Sequence, residues 1–251
     1  MVNQRREVVY GNLTFSSPAT FFTKKKVAFL HPTFGRRISL KEVTPINLLS
    51  KAIHLISNGK MPMEQLSEIL ADIHPYADAI HLREKQMTAK ELYEAVNLLS
   101  RVGVPLSKII INDRVDVAVI TGAKGVQLAY HSLDASMIKT NFPQLTVGCS
   151  IHSVEEGKKV QRLGADYVIY GHIFSTQSKP GLEPRGLEEL KKLTGSLDIP
   201  VIAIGGIAPE NTKQVINSGA DGIAMLSGVL NADDPLAAIK GYQKEVKMEM
   251  C

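Results

Sequence analysis

The chain has 251 residues, 44% of them hydrophobic and 22% charged, a composition typical of a globular protein that buries a sizeable core. Its net charge of +4 is uneven, because residues 1–45 carry eight basic and two acidic side chains whereas residues 46–251 carry 21 and 23. The larger part therefore lacks the basic surface that nucleic-acid binding needs, and no apolar run approaches the roughly 18 residues of a membrane span. The two cysteines form no disulfide framework, which favours a cytoplasmic protein.

Residues 1–45 show no sustained hydrophobic period and include a run of three lysines at 24–26. A basic, acid-poor start occurs in organellar transit peptides. The simpler interpretation is a poorly ordered N-terminal extension, or upstream sequence included by an early start codon. We therefore predict an extension over residues 1–45, followed by one domain over residues 46–251.

From residue 52 onward, short apolar runs alternate with helical patterns without a break. The predicted strands cover residues 52–57, 79–83, 108–112, 125–128, 145–150, 167–171, 200–205 and 222–226. The predicted helices cover residues 63–73, 88–102, 115–121, 134–141, 154–163, 186–193, 209–218 and 234–246. Strands that are apolar on both faces require a parallel sheet covered by helices. A doubly wound open sheet is the alternative, but eight consecutive units over about 200 residues favour a single (β/α)8 TIM barrel of the α/β class.

The strand ends carry the candidate site, because enzymes of this fold work at the C-terminal mouth of the barrel. Gly205 and Gly206 follow the seventh strand, and Ser227 and Gly228 follow the eighth. Barrels of this kind commonly bind phosphate there through backbone N–H groups. The glycines alone would also serve in tight turns, but the two pairs together favour a phosphate site.

A titratable ring lies beside this predicted phosphate site. Residues 171–181 (GHIFSTQSKPG) follow the sixth strand and place His172 at its end, and an imidazole with a pKa near ~6.5 suits proton transfer at neutral pH. Arg83 and Lys85 alternate along the chain at the end of the second strand, so both can face the mouth and meet an anionic substrate. Asp113 is a candidate ligand for Mg²⁺, although a single carboxylate rarely holds that ion without substrate phosphates.

These segments resemble the thiamine phosphate synthase superfamily, over about residues 50–247. The matching segments are HLREK at 81–85, INDRVD at 111–116, GCSIH at 148–152, PVIAIGGI at 200–207 and GADG at 219–222. The resemblance implies a barrel that binds small phosphorylated substrates, with Asn112 and Ser150 among the substrate-binding residues.

Two departures from the synthase pattern point to one branch of the superfamily. The synthases have Gly-Pro where this chain has Gly171 and His172, and a second Mg²⁺-binding aspartate where it has Ser132. Both changes resemble the thiazole tautomerase branch (TenI-like). That branch implies an isomerase that aromatises a carboxythiazole phosphate without a cofactor, with His172 as the acid/base and Arg83 or Lys85 beside the carboxylate.

Two alternatives stay open. Thr176, Ser178, Lys179 and Asp113 keep the pattern with which synthases grip diphosphate and Mg²⁺. The chain could therefore be a thiamine phosphate synthase that joins hydroxymethylpyrimidine diphosphate to thiazole phosphate, or a non-catalytic regulator that binds a thiazole phosphate. All three interpretations call for a small-molecule partner, with no nucleic acid and no membrane, and leave a homo-oligomer open.

Overall fold

The structure, a computed structural model, describes residues 51–177 and 179–247 and contains a closed barrel of parallel strands. The strands are β1 (Ala52–Ile56), β2 (Ala79–Leu82), β3 (Ile109–Asn112), β4 (Gly125–Leu128), β5 (Thr146–Ile151), β6 (Tyr167–Gly171), β7 (Val201–Ile204) and β8 (Gly222–Met225). Each strand pairs with the next along the chain, and β8 pairs with β1 through Ala52 and Gly222, which closes the sheet. The predicted (β/α)8 barrel is confirmed.

Helices connect the strands and cover the outside of the sheet. They are α1 (Met63–Ile73), α2 (Ala89–Arg101), α3 (Val115–Thr121), α4 (Ala135–Asn141), α5 (Val154–Arg162), α6 (Gly186–Thr194), α7 (Pro209–Asn217), α8 (Ser227–Leu230) and α9 (Pro235–Lys247). The start of α2 is set by a capping box, in which the Thr88 side chain accepts from the Glu91 N–H and the Glu91 carboxylate accepts from the Thr88 N–H. Helix α8 is a single turn that begins at Ser227, shortly after the end of β8.

Side chains inside the barrel alternate with side chains that face the helices, as the two-residue period of a strand requires. The apolar residues of the interior are Ala52, Ile56, Tyr167, Ile169, Ile202 and Ala224. The intervening residues, such as Ile53 and Leu55 of β1, belong to the larger core between the sheet and the helices. The interior is therefore filled by side chains, which leaves the ends of the barrel for binding.

Three aspartates hold the N-terminal ends of the strands. Asp78 accepts a hydrogen bond from the backbone N–H of Ile53 at 2.8 Å. Asp166 and Asp221 make the equivalent contacts with the N–H groups of Val147 and Val201. Each aspartate directly precedes one strand and accepts from the strand before it, so the contact recurs in three βα units. This end of the barrel is thus held by structural hydrogen bonds, and the predicted site residues lie at the other end.

Two strand ends differ from the prediction in ways that affect the site. β2 ends at Leu82, so Arg83 and Lys85 lie in the loop after the strand. β7 ends at Ile204, which places Gly205 in the following turn. The predicted extension over residues 1–45 and the predicted domain start at residue 46 lie outside the described residues. Among the residues that are described, no helix is long and apolar enough to cross a membrane.

Candidate active site

The parallel strands bring the predicted site residues to one end of the barrel. Arg83 and Lys85 follow β2, Asn112 ends β3, and Thr176 and Lys179 lie in the loop between β6 and α6. The two glycine-containing turns follow β7 and β8, which are neighbours in the sheet. The structure thus gathers basic, hydroxyl and glycine residues at the C-terminal mouth, while Ser178 of the same loop lies outside the described residues.

His172 lies at the base of the β6–α6 loop and is buried, with 6% of its surface exposed. Its Nε2 lies 3.2 Å from the carbonyl oxygen of Leu182, on the far side of the same loop. Arg185 holds the base as well, because its backbone N–H donates to the His172 carbonyl oxygen and its Nε donates to the Gly171 carbonyl oxygen. The imidazole therefore joins the two ends of the loop, and its Nε2 faces the protein backbone.

The two glycines after β7 support the β6–α6 loop. Gly205 has a φ of +102° and Gly206 a φ of +65°, in the left-handed region that favours glycine. A Cβ atom at Gly205 would lie 2.7 Å from the Cα of His172, and one at Gly206 would lie 2.5 Å from the carbonyl oxygen of Ser175. The Phe174 N–H also donates to the Gly205 carbonyl oxygen at 3.0 Å. The loop therefore packs directly on this turn, and the proposed role of the glycines in phosphate binding stays a prediction.

A cavity of about 650 Å³ opens along the outer part of this loop. Loop residues between Ser175 and Glu183 line it, among them Thr176 and Lys179. The backbone N–H of Lys179 donates to the carbonyl oxygen of Thr176 at 3.1 Å, so one turn carries both the hydroxyl and the ammonium group. A hydroxyl and a cation beside an open cavity suit an anionic group such as a phosphate.

The loop after β2 is held by a contact with the residue that follows β1. The backbone N–H of Arg83 donates to the buried Ser57 hydroxyl at 2.8 Å. Lys85 is exposed, whereas Glu84 between them is buried. Arg83 is half-buried, and both basic residues lie after the end of β2, so their predicted orientation toward an anionic substrate at the mouth stays a prediction.

The turn after β3 carries the carboxylate considered for Mg²⁺. Asp113 adopts a φ of +64°, which is uncommon outside glycine. The Nε2 of His131, from the loop after β4, lies 3.7 Å from Asp113 Oδ2. In the same loop the Ser132 hydroxyl accepts from the Ala129 N–H at 2.9 Å. The described residues include no group of three or more His, Cys, Asp or Glu placed to hold a metal ion. The two groups that meet here, Asp113 and His131, form a pair that we call the Asp–His corner.

A pair of buried histidines inside the barrel is not predicted by the sequence. His54 Nδ1 of β1 and His81 Nε2 of β2 lie 2.9 Å apart. Burial, reinforced by the charge of Lys124, lowers the pKa of His81 to about 3, and burial together with His81 and Lys124 lowers the pKa of His54 well below 6.5. Both rings are therefore neutral at pH 7, and one ring donates to the other. The buried Nδ1 of His81 has no hydrogen-bond partner among the described residues.

The polar cluster continues from these histidines toward the mouth. The Tyr167 ring packs edge-on against His54, its hydroxyl donates to Gln127 Oε1 at 2.8 Å, and Gln127 Nε2 donates to the Ser150 hydroxyl at 3.1 Å. Ser150, predicted to bind substrate, thus also accepts a hydrogen bond within the barrel. The sequence signal for this cluster is that its members occupy alternate, inward-facing positions of their strands.

A (β/α)8 barrel whose mouth carries basic, hydroxyl and glycine-rich loops is typical of enzymes, many of which bind phosphorylated small molecules. The family model of thiamine monophosphate synthase matches residues 53–229 of the chain. The protein therefore belongs to the thiamine monophosphate synthase family, and the predicted superfamily is confirmed.

Curated relatives and solved structures agree with this family. The thiamine-phosphate synthase of Pyrococcus furiosus is 34% identical over 204 residues, which cover 80% of this chain and 98% of the relative. That of Desulfitobacterium hafniense is 36% identical over 72% of this chain and 88% of its own. A solved thiamine phosphate pyrophosphorylase from Pyrococcus furiosus superposes with a TM-score of 0.68 at 32% identity, over 81% of this chain and 99% of that chain. A 3-hexulose-6-phosphate synthase with 19% identity and a TM-score of 0.61 shares the fold alone.

The prediction of a thiazole tautomerase is wrong, and so is the predicted isomerase class. The relatives that match most of their own length are named thiamine-phosphate synthases, which are transferases. Two positions, His172 and Ser132, carried the tautomerase prediction, and similarity across the whole barrel outweighs them. The contact of His172 with Leu182 gives that residue a structural task that requires no acid/base chemistry.

Proposed function

We propose that this protein is a thiamine-phosphate synthase, which joins hydroxymethylpyrimidine diphosphate to thiazole phosphate and releases diphosphate. The observation that carries the proposal is the similarity to the Pyrococcus furiosus synthase, at 34% identity over 98% of that relative. This reaction needs a site that holds one diphosphate and one phosphate. The mouth of the barrel offers two groups of residues suited to these anions.

In this proposal the diphosphate binds to the loops that follow β2 and β6. Arg83 and Lys85 supply cations from the first loop, and Thr176 and Lys179 supply a hydroxyl and a cation from the second. Ser178 completes the set that the sequence predicts. Negative charge on the diphosphate increases as its bond to the pyrimidine methylene carbon breaks, and fixed cations stabilise that charge. These residues therefore act on the leaving group.

The thiazole phosphate binds, in the same proposal, at the turns after β7 and β8. Gly206 and the exposed pair Ser227 and Gly228 offer backbone N–H groups there, where barrels of this fold commonly bind phosphate. The β6–α6 loop packs on Gly206, so the diphosphate loop and the phosphate turn support each other. Asn112 and Ser150 are the proposed contacts for the rings of the substrates.

A thiamine-phosphate synthase is expected to use Mg²⁺. The prediction that no cofactor is needed applied to the thiazole tautomerase. The Asp–His corner suits Mg²⁺ when the substrate supplies further oxygen ligands, because that ion is commonly held by one or two carboxylates together with substrate phosphates. Asp113 is the carboxylate at this corner. When bound, the ion would neutralise charge on the diphosphate that leaves.

The direct test is turnover by the purified protein. With hydroxymethylpyrimidine diphosphate, thiazole phosphate and Mg²⁺, we expect thiamine phosphate and diphosphate to form in equal amounts, measured by chromatography and a diphosphate assay. Lys179→Ala should lower kcat/KM by about tenfold or more, because a hydrogen bond to a charged group is lost. Lys191→Ala, which changes an exposed lysine of α6, is the matched control. Binding of thiazole phosphate without turnover would contradict the proposal and favour a regulator.

A second test separates the structural role of His172 from a chemical one. His172→Ala removes the contact with Leu182, and a hydrogen bond of about 1 kcal/mol corresponds to a change of about fivefold in binding. We expect KM for the diphosphate substrate to rise by about that factor while kcat changes less. Amide hydrogen exchange of residues 175–182 should become faster. A fall in kcat of about 100-fold or more at unchanged KM would instead show that His172 moves a proton.

A further inference from the structure

The Asp–His corner differs from the two-aspartate pattern of the synthases in a way that affects metal binding. The position of the second aspartate is occupied by Ser132, and its hydroxyl is turned into the loop to accept from the Ala129 N–H. The adjacent residue His131 instead directs its Nε2 toward Asp113, at 3.7 Å from Oδ2. The loop thus presents an imidazole next to the carboxylate.

We propose that Asp113 and His131 form a two-residue metal site that the substrate diphosphate completes, and that the imidazole shifts its preference from Mg²⁺ toward Mn²⁺. This inference rests on the proposed synthase function, which supplies the diphosphate. Bonds from a divalent ion to a histidine nitrogen and a carboxylate oxygen are about 2.1 Å each, so neighbouring ligands of an octahedral ion lie about 3.0 Å apart. The two atoms lie 3.7 Å apart, and the two exposed side chains would therefore approach each other by about 0.7 Å to hold one ion.

Both side chains are accessible, and among the described residues each forms its ion-pair contact with the other. The exposed fractions of the His131 and Asp113 side chains are 46% and 36%. Arg114 follows Asp113 in the sequence, but its guanidinium donates two hydrogen bonds to the Asp116 carboxylate, one from Nε and one from Nη2. The guanidinium is therefore held by another carboxylate. Asp113 keeps its position through a left-handed backbone, a strained conformation of the kind that clusters at ligand sites.

The choice of ion follows from the donor atoms. Mg²⁺ prefers oxygen ligands and octahedral geometry, whereas imidazole nitrogen suits transition ions. Diphosphate oxygens and a carboxylate suit both Mg²⁺ and Mn²⁺, so the imidazole is the group that discriminates. The pair alone is too small a donor set for tight binding, which explains why diphosphate is required.

The experiment measures Mn²⁺ binding to the full chain by electron paramagnetic resonance, with and without inorganic pyrophosphate. We expect Mn²⁺ to bind the wild-type protein only with pyrophosphate, and to show coupling to a nitrogen nucleus. His131→Gln should abolish the coupling and weaken Mn²⁺ binding by at least about tenfold. Mg²⁺ should compete for the site better in this variant than in wild type. His152→Gln, which changes another exposed histidine at the mouth, should leave both signals unchanged.

Two outcomes would overturn the proposal. If His131→Gln binds Mn²⁺ as wild type does, or if Asp113→Asn keeps the nitrogen coupling and affinity, the pair is a surface ion pair and no metal site. These outcomes are separate from failure of the proposed function. If the protein turns over its substrates but His131→Gln does not change Mn²⁺ binding, the proposed synthase function stands and the metal site is rejected. If Mn²⁺ binds with nitrogen coupling but there is no turnover, the metal site stands and the synthase function is rejected.

Discussion

Gly206→Ala is expected to destabilise the protein by about 3 kcal/mol and to lower kcat/KM by about 100-fold. The backbone of Gly206 is left-handed, and an added Cβ would lie 2.5 Å from the carbonyl oxygen of Ser175 and 2.8 Å from that of Phe174. Left-handed strain and overpacking each cost about 1–3 kcal/mol. Because the obstacles are backbone atoms, the β6–α6 loop has to move, and a displacement of about 1 Å in a site costs about 100-fold in rate. Urea unfolding and steady-state kinetics measure the two effects.

Gly122→Ala is the matched control for this change. Gly122 has a φ of +70°, close to the +65° of Gly206, and a Cβ atom there would meet nothing within 4 Å. It lies after α3, at the end of the barrel opposite the mouth. The control should therefore cost about 1 kcal/mol from strain alone and leave kcat/KM unchanged. Equal losses of stability in the two variants would show that the loop does not depend on close packing at Gly206.

The fold could be predicted from the sequence because each unit carries its own signal. Apolar strands of four to six residues alternate with amphipathic helices, and turn residues such as Gly122 and Gly164 follow the helices. These are local properties, so the pattern predicts all eight strands. Exact strand ends are set by pairing across the sheet, which is why β2 ends at Leu82 and not at the polar residue after it.

The site could be predicted in part for the same reason. Strand order alone places Arg83, Lys179 and Gly206 at one mouth, since parallel strands share a direction. The role of a single residue depends on contacts that sequence distance hides. The partner of His172 is a backbone carbonyl ten residues away, and that of His54 is a ring 27 residues away. The prediction of the superfamily branch from His172 and Ser132 failed, because the sequence does not show which groups these two residues contact.

Acidification from pH 7.5 to 5.0 is expected to remove about 2 kcal/mol of stability through His81, with His54 adding to the loss. In the unfolded chain a histidine binds a proton near pH 6.5, whereas burial lowers the pKa of His81 in the folded protein to about 3. Between these two values the unfolded state holds more protons, so stability is complete above pH 6.5 and falls as the pH decreases. The slope is about 1.4 kcal/mol per pH unit for each histidine that stays neutral in the fold.

His81→Gln is the variant that isolates this effect. Glutamine keeps an amide that can face His54 but does not titrate, so the difference in unfolding free energy between pH 7.5 and 5.0 should shrink by about 2 kcal/mol. The comparison is made within each protein, and a loss of stability common to both pH values therefore cancels. His152→Gln removes an exposed histidine and should leave the pH difference as in wild type. If His81→Gln keeps the full acid sensitivity, the histidine pair is protonated in the fold, and other groups cause the acid destabilisation.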